Sequence, residues 1–519
     1  MSSAAHVPVV PTTYGFFEGM VKPDINPANH KSKTLVLFNP INKYGRTFHL
    51  AWLSFFVAFL SWFAFPPLLH GTINTNLKMT TAQVGNSNIV GLAATLIVRF
   101  IVGPLCDKYG PRYVMAGVLI AGAIPTACTP AITSVSGLYI VRFFVGILGG
   151  TFVPCMVWTT QFFDKPIVGR ANALAGGWGN AGGGVTFFIM PAVVSSLMSN
   201  QHYKLGKAWR LAFPACPLAI LIFVAVLVLV FGHDTPTGPW ATRHIHGAGT
   251  AVDTYTLDRA FSNRDQKTHP MTGSSERSGS SSPRALKDEK HVVADPESDM
   301  AVGTITDELP ENPKLMTTLK AIFHPQVLFL ALTYLCSFGS ELAIEGVLSG
   351  LYIQSAKLHD KKVWGQELAG QWAAMFGLLN VITRPLGGYI SDKLYIHFNR
   401  SVAAKKWFLL ALGLLQGIFF VWIGFKSDMK VHSLIGAMAG LAIFMEAANG
   451  ANFSIVPHVM PKQNGVVSGM VGGSGNMGGI FFNLAFRFQG TNYHKAMWLI
   501  GFVIIAIQVV ASFVPMPKH

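Results

Sequence analysis

Charge is what this chain has little of. Asp, Glu, Lys and Arg together make up 12 % of its 519 residues, against about 25 % in a typical soluble chain, and 51 % of the residues are hydrophobic. That composition excludes an ordinary water-soluble globule and a polar, disordered chain. Acid is scarcest, with 24 Asp and Glu against 39 Lys and Arg and a net charge of +15. In a soluble protein this excess points to nucleic acid; in so apolar a chain it asks instead which side of a membrane the cations occupy. The five cysteines lie within or at the edge of apolar stretches, at spacings that fit neither a disulfide framework nor metal ligands. No G-x-x-x-x-G-K-[ST] sequence is there to bind ATP, and no nucleophile, base and orienting group recur at readable spacing. Neither an ATP-driven pump nor an enzyme is expected, and no cofactor or metal is implied.

What the chain has in quantity is apolar length. Windows of roughly 20 mostly apolar residues, enough to cross a hydrocarbon core about 30 Å thick, recur twelve times, from near 48–70 to near 495–514. The expected fold is an all-α membrane protein of twelve transmembrane helices in two pseudo-symmetric six-helix bundles, 47–232 and 325–519. Residues 1–46 are polar and dotted with proline, and are read as a cytoplasmic tail rather than a signal peptide. The larger share of Lys and Arg then falls on the side of the two termini, which makes that side cytoplasmic.

Between the bundles, residues 233–324 turn polar, and 274–284 reads SSERSGSSSPR. Such a segment has too little apolar surface to offset the entropy of ordering, and is read as a cytoplasmic, largely disordered loop. Its serines beside Arg277, Arg284 and Lys287 are candidate targets of a kinase. His244 and His246 lack Cys or acidic partners at ligand spacing, so a metal site is not inferred from them.

Two arginines break the apolar pattern. Arg99 stands in the second span, where a charge costs roughly 2.5–3.5 kcal/mol on insertion scales and so needs a reason. The stretch Arg99-x-x-x-Gly103-x-x-x-Asp107-Lys108 returns in the second half as Arg384-x-x-x-Gly388-x-x-x-Asp392-Lys393. At 1.5 Å per residue each arginine lies roughly 12 Å in from its aspartate, close to the midplane. A six-plus-six arrangement with matched halves fits parallel repeats about an axis along the membrane normal. Gly103-x-x-x-Asp107-Lys108-x-Gly110-x-Arg112 resembles the loop motif of the major facilitator superfamily, with Gly388-x-x-x-Asp392-Lys393 as its partial echo. The resemblance implies that Gly103, Asp107, Lys108, Arg112, Asp392 and Lys393 latch the two halves at one end during alternating access. Arg142-x-x-x-Gly146-x-x-x-Gly150 also fits that family, in which the arginine is structural or coupling-related.

Gly177-Trp178-Gly179-Asn180-Ala181-Gly182 and Gly473-Ser474-Gly475-Asn476-Met477-Gly478 both satisfy G-x-G-x-x-G. A nucleotide fold is not inferred, because both runs lie in apolar spans rather than between a strand and a helix of a βαβ unit. Small residues let membrane helices approach closely, but packing alone does not explain an asparagine at the same place in both repeats. The duplicated Gly-x-Gly-Asn-x-Gly-Gly resembles the signature of the nitrate/nitrite porter family within the superfamily, and the long central loop with short termini is similar to its fungal high-affinity members. The resemblance implies that Arg99, Arg384, Asn180 and Asn476 bind the anion, with Phe152, Tyr334 and Phe338 as aromatic walls. It also implies residence in the plasma membrane, as a monomer.

Nitrate is planar, singly charged and weakly basic. Guanidinium suits it, offering a planar fork of donors and staying charged where a lysine would lose its proton. Two buried arginines and one nitrate leave a positive charge over. Glu341 and Glu345, one turn apart in the seventh span, are the candidate proton carriers, with Glu446 weaker. The function expected is import of nitrate, with nitrite, by proton symport. Nitrate/nitrite exchange would differ in failing to depolarise the cell and alkalinise the medium. A nitrate sensor signalling through the central loop would lose signalling but keep uptake on deletion of 240–310.

Overall fold

The computed structural model describes residues 13–27, 29–243, 315–360, 363–490 and 492–516. His244, His246, the serine-rich 274–284 and the rest of the central loop to residue 314 lie outside them. Twelve long helical elements are found among the described residues. The first six are α1 (Lys43–Trp62), α2 (Thr81–Tyr109), α3 (Pro111–Ala127), α4 (Val135–Val145 and Phe152–Phe162), α5 (Val168–Ser199) and α6 (Leu205–Phe213 and Ala219–Phe231). The second six are α7 (Pro325–His359), α8 (Gln366–Leu378 and Thr383–His397), α9 (Val402–Phe425), α10 (Val431–Ile455), α11 (Asn464–Gln489) and α12 (Tyr493–Ser512). Ten of these are long and apolar enough to cross a membrane. The other two are α8, which is broken at Leu379–Val381 just before Arg384, and α11, which carries the Gly-Ser-Gly-Asn run.

Within each half, outer helices pair with one another: α3 with α6, and α9 with α12. Their outward faces expose Ile120 and Ile124 of α3, Phe223 and Val230 of α6, Ile418 of α9 and Val510 of α12, an apolar rim that matches lipid. The halves meet along α2 with α11 and α5 with α8. Both seams depend on glycine. A Cβ on Gly103 of α2 would stand 2.5 Å from the carbonyl oxygen of Gly465 in α11, and one on Gly388 of α8 would stand 2.6 Å from the carbonyl oxygen of Gly169 in α5. No other residue allows backbones that close.

Two of the breaks in these helices flank the centre. In α4 a 3-10 stretch, Gly146–Thr151, interrupts the helix just before Phe152; in α8 another, Leu379–Val381, comes just before Thr383 and Arg384. A 3-10 turn re-aims the side chains that follow it and frees carbonyls for other donors. Such breaks are tolerated at membrane depth only where protein satisfies the backbone.

The end of the bundle bearing Asp107 and Asp392, called here the loop end, is covered by two segments outside the twelve long helices. The described part of 13–42 is packed there: Asn26 and Asn29 donate to Asp164 at 2.8 and 3.1 Å, and the backbone of Ser32 pairs with that of residues 162 and 164. Residues 233–243, the described start of the central loop, are packed too. Trp158 Nε1 donates to the His233 carbonyl at 2.7 Å, Arg112 pairs with Asp234 at 3.3 Å, and Trp240 Nε1 donates to the Asp107 carbonyl at 3.2 Å.

Candidate functional site

At the centre, Arg99 from α2 and Arg384 from α8 are sealed from solvent, at 0 and 1 % exposure. Each lies against a helix of the half it does not belong to. Arg99 donates Nη1 to the Gly472 carbonyl of α11 at 2.6 Å, and its Nε takes the Gly149 carbonyl freed by the 3-10 turn of α4 at 2.9 Å. Arg384 lies against Gly176 and Gly177 of α5; a Cβ on Gly176 would stand 3.1 Å from its Nε. The glycines at the head of each run, Gly176 and Gly177 in α5 and Gly472 in α11, thus lie against the arginine of the opposite half.

Aromatic rings complete the chamber. Phe152 and Tyr334 are stacked with centroids 6.1 Å apart, and Tyr334 and Phe338 at 5.1 Å, both pairs tilted by only 13°. The guanidinium carbons of Arg99 and Arg384 lie 4.9 and 5.5 Å from the Phe152 ring, and 5.2 and 5.9 Å from that of Phe338. Ring faces attract cations by roughly 0.5–2 kcal/mol each, which offsets part of the repulsion between two guanidinium groups brought to the same rings. Arg384 Nη2 donates to the Tyr334 hydroxyl at 3.0 Å. Arg99 Nη2 and Arg384 Nη1 are buried and meet no acceptor among the described residues. A buried charged donor left unpaired costs at least 1–3 kcal/mol. Two such donors, from opposite halves and against the same pair of flat rings, leave a place for an acceptor between them.

Phe453 of α10 was not singled out in the sequence. It packs edge-on to Phe152 and Tyr334, at 4.6 and 5.0 Å. Its signal was present: Gly450-x-x-Phe453 repeats the spacing of Gly149-x-x-Phe152.

The asparagines part company. Asn476 donates Nδ2 to the Gly472 carbonyl of its own helix at 3.1 Å. Asn180 donates Nδ2 across the seam to Glu341 Oε1 at 2.6 Å. Glu341 also accepts from Asn380 of α8 at 2.8 Å and from Asn449 of α10 at 2.5 Å. Asn380 and Asn449 were missed because a lone asparagine in an apolar span names no partner. Glu446 is buried and bonded to Thr383. Glu345 borders a cavity of about 40 Å³ toward the end opposite the loops, between the halves, with Asn88, Arg142 and Asn483 also on its wall. Arg142 itself bonds Ser87 and Asn88 at 2.5 and 3.0 Å, well away from the central pair.

The loop motif is split in the same way. Asp107 of α2 accepts from the backbone N–H groups of Gly465 and Val466, at 2.9 and 3.0 Å, and so caps the N-terminus of α11. Asp392 of α8 accepts from Arg170 N at 2.7 Å, capping α5, and pairs with Lys405 at 2.9 Å. Helix N-termini attract carboxylates through their free N–H groups and dipole. The two aspartates thus tie the halves together. Lys108 and Lys393 do not; both are exposed beside tyrosine rings of their own helices. Arg112 binds Asp234 and the end of α6 within its own half.

Comparison with known proteins places this arrangement. The description Major Facilitator Superfamily matches residues 51–483. The chain is 31 % identical to "High affinity nitrate transporter 2.5" of Arabidopsis thaliana over 94 % of its length and 82 % of that protein. It is also 31 % identical to "Elsinochrome transporter 1" of Elsinoe fawcettii, over 96 % of this chain and 98 % of that one. Among solved structures, the E. coli fucose:proton symporter FucP has the same fold, with a TM-score of 0.57 at 13 % identity, covering 92 % of this chain and 100 % of that one. With the fold, the paired arginines and the duplicated asparagine signature all present, the chain belongs to the Major Facilitator Superfamily and, within it, to the nitrate/nitrite porter family.

Proposed function

We propose that the protein imports nitrate, and nitrite with it, across the plasma membrane together with protons, by alternating access with both termini on the cytoplasmic side. The observation that carries this is the pair of unpartnered guanidinium nitrogens, Arg99 Nη2 and Arg384 Nη1, beside the same two rings. A nitrate between them accepts from both halves at once, so its binding free energy draws α2 and α8 together and closes the carrier around it. Likeness to a relative named as an elsinochrome transporter leaves the substrate to be decided by the site. The flat, sealed, doubly cationic chamber favours a small planar anion.

Release toward the cytoplasm requires the loop end to part, and there Asp107 and Asp392 hold the helix N-termini of the opposite half. Glu341 carries the proton in this reading. Its carboxylate lies within electrostatic reach of Arg384, so neutralising it leaves the centre more positive and the anion more tightly held. Electrophysiology of the expressed protein, with nitrate, nitrite and chloride compared across external pH, tests substrate and coupling together. Nitrate and nitrite are expected to alkalinise the medium, and chloride is not. A Glu341→Gln variant should carry nitrate while its nitrate-induced proton uptake falls at least ten-fold. Proton uptake at the parent level in that variant rejects the role of Glu341, and electroneutral nitrate-for-nitrite exchange without any pH change rejects symport.

A further inference from the structure

The cluster around Glu341 holds more than an anchored carboxylate. Three carboxamides donate to it, those of Asn180, Asn380 and Asn449. The Oδ1 atom of each is buried and has no partner among the described residues. Three donors and no acceptor suit a charged carboxylate. A protonated one also needs an acceptor for its O–H, and each of the orphaned oxygens becomes that acceptor if its amide turns over. Asparagine oxygen and nitrogen are isosteric, so such a flip exchanges hydrogen-bond character without changing shape.

Of the three, only Asn180 comes from the other half. It also sits one helical turn from Gly176, on the face of α5 that lies against Arg384. We infer that Asn180 is a reversible donor shared between the proton and the anion. While Glu341 is charged, Asn180 spends its N–H on the carboxylate and keeps its oxygen for the rest of the chamber, where it repels an anion. When a proton from the medium reaches Glu341, the carboxamide turns, Oδ1 accepts the new O–H, and Nδ2 is delivered to the anion. The proton stays on Glu341 and no covalent bond other than that O–H is made. Glu345, one turn along α7 and bordering the outer cavity, lies on the path that proton takes. This inference rests on the reading of the protein as a proton-coupled anion carrier, and supplies the part that makes the two cargoes depend on one another.

The charged and titratable groups around Glu341 are Glu345 and Tyr334 on its own helix, Arg384 from α8 and Glu446 from α10, with Arg99 of α2 beyond Tyr334. A general electrostatic effect of Glu341 on the anion would act through all of these and would not need Asn180. The two are separated by measuring nitrate affinity of the purified full-length protein in lipid nanodiscs at pH 5.5 and pH 8. In Asn180→Ala, affinity should fall about ten-fold at pH 5.5, where the amide is free to serve the anion, and less than two-fold at pH 8, where it is already taken. In Glu341→Gln, affinity at pH 8 should equal that of the parent at pH 5.5. An equal loss at both pH values in Asn180→Ala, or a parent-like pH slope in Glu341→Gln, overturns the shared-donor role. If Asn180→Ala does not fold, Asn180→Leu, close to asparagine in volume and without a hydrogen-bonding group, makes the same comparison. A parent that binds no nitrate at either pH rejects the substrate reading instead.

Discussion

Arg384→Lys is expected to lower nitrate uptake at limiting substrate by about a hundred-fold. In the proposed reading the guanidinium divides its work: Nη2 holds the Tyr334 hydroxyl at 3.0 Å, while Nη1, which has no partner among the described residues, takes the ligand. A lysine has one nitrogen for both tasks. It also lacks the flat surface that lies 5.5 Å from the Phe152 ring and 5.9 Å from that of Phe338. Losing one charge-assisted bond costs about 1.5–3 kcal/mol, and misplacing the point charge adds to it. Arg99→Lys should be at least as damaging, since its Nε and Nη1 hold the Gly149 and Gly472 carbonyls and tie three helices together. The measurement is uptake of labelled nitrate at a concentration far below saturation, normalised to protein at the membrane. Parent-level uptake by Arg384→Lys removes Arg384 from the site.

Gly103→Leu is expected to abolish net uptake by a different route. Its side chain would be driven into the Gly465 carbonyl and the Gly469 backbone, 2.5 and 3.3 Å from the first added carbon. Those atoms cannot move without displacing the N-terminus of α11, which Asp107 holds by two bonds. The loop end would then be unable to close, and a carrier open on one side returns no binding site to the other. Uptake should fall more than a hundred-fold while a cysteine placed along the inner pathway becomes reactive to a membrane-impermeant thiol reagent added from the loop end. Normal transport by Gly103→Leu, or unchanged reactivity, rejects this closure.

Some of this was written plainly in the chain. An arginine in an apolar span is conspicuous because the solvent around it is hydrocarbon, and its recurrence with glycine and aspartate at fixed spacing gave the two halves and their pairing. Asn180, Asn476 and the glycines around them were equally visible, but what they touch was not. A repeat motif invites the assumption that each copy serves its own half, whereas the glycines at the head of each run here lie against the opposite arginine, a relation that exists only once the halves are assembled. The same limit hid Asn380 and Asn449, which converge on Glu341 from separate helices. Depth along a helix can be counted from sequence; azimuth between helices cannot. Glu341 stands out in the sequence as a candidate proton carrier, but the three amides that hold it do not. The N-terminal residues looked like a tail because they are polar, yet Asn26 and Asn29 use that polarity to hold Asp164.

The bare faces at the seams have a mechanical consequence. Where two helices pack through side chains, ridges lodge in grooves, and sliding one past the other means lifting each ridge over its neighbour. Gly176 and Gly177 on one side, and Gly472 and Gly473 on the other, offer no ridges. Arg99 takes one carbonyl oxygen of its track, that of Gly472, while Arg384 lies against Gly176 and Gly177 and spends its hydrogen bond on Tyr334. What would resist sliding at these seams is then the hydrogen bond a guanidinium must exchange, as Arg99 would have to exchange that to Gly472, rather than interlocked side chains.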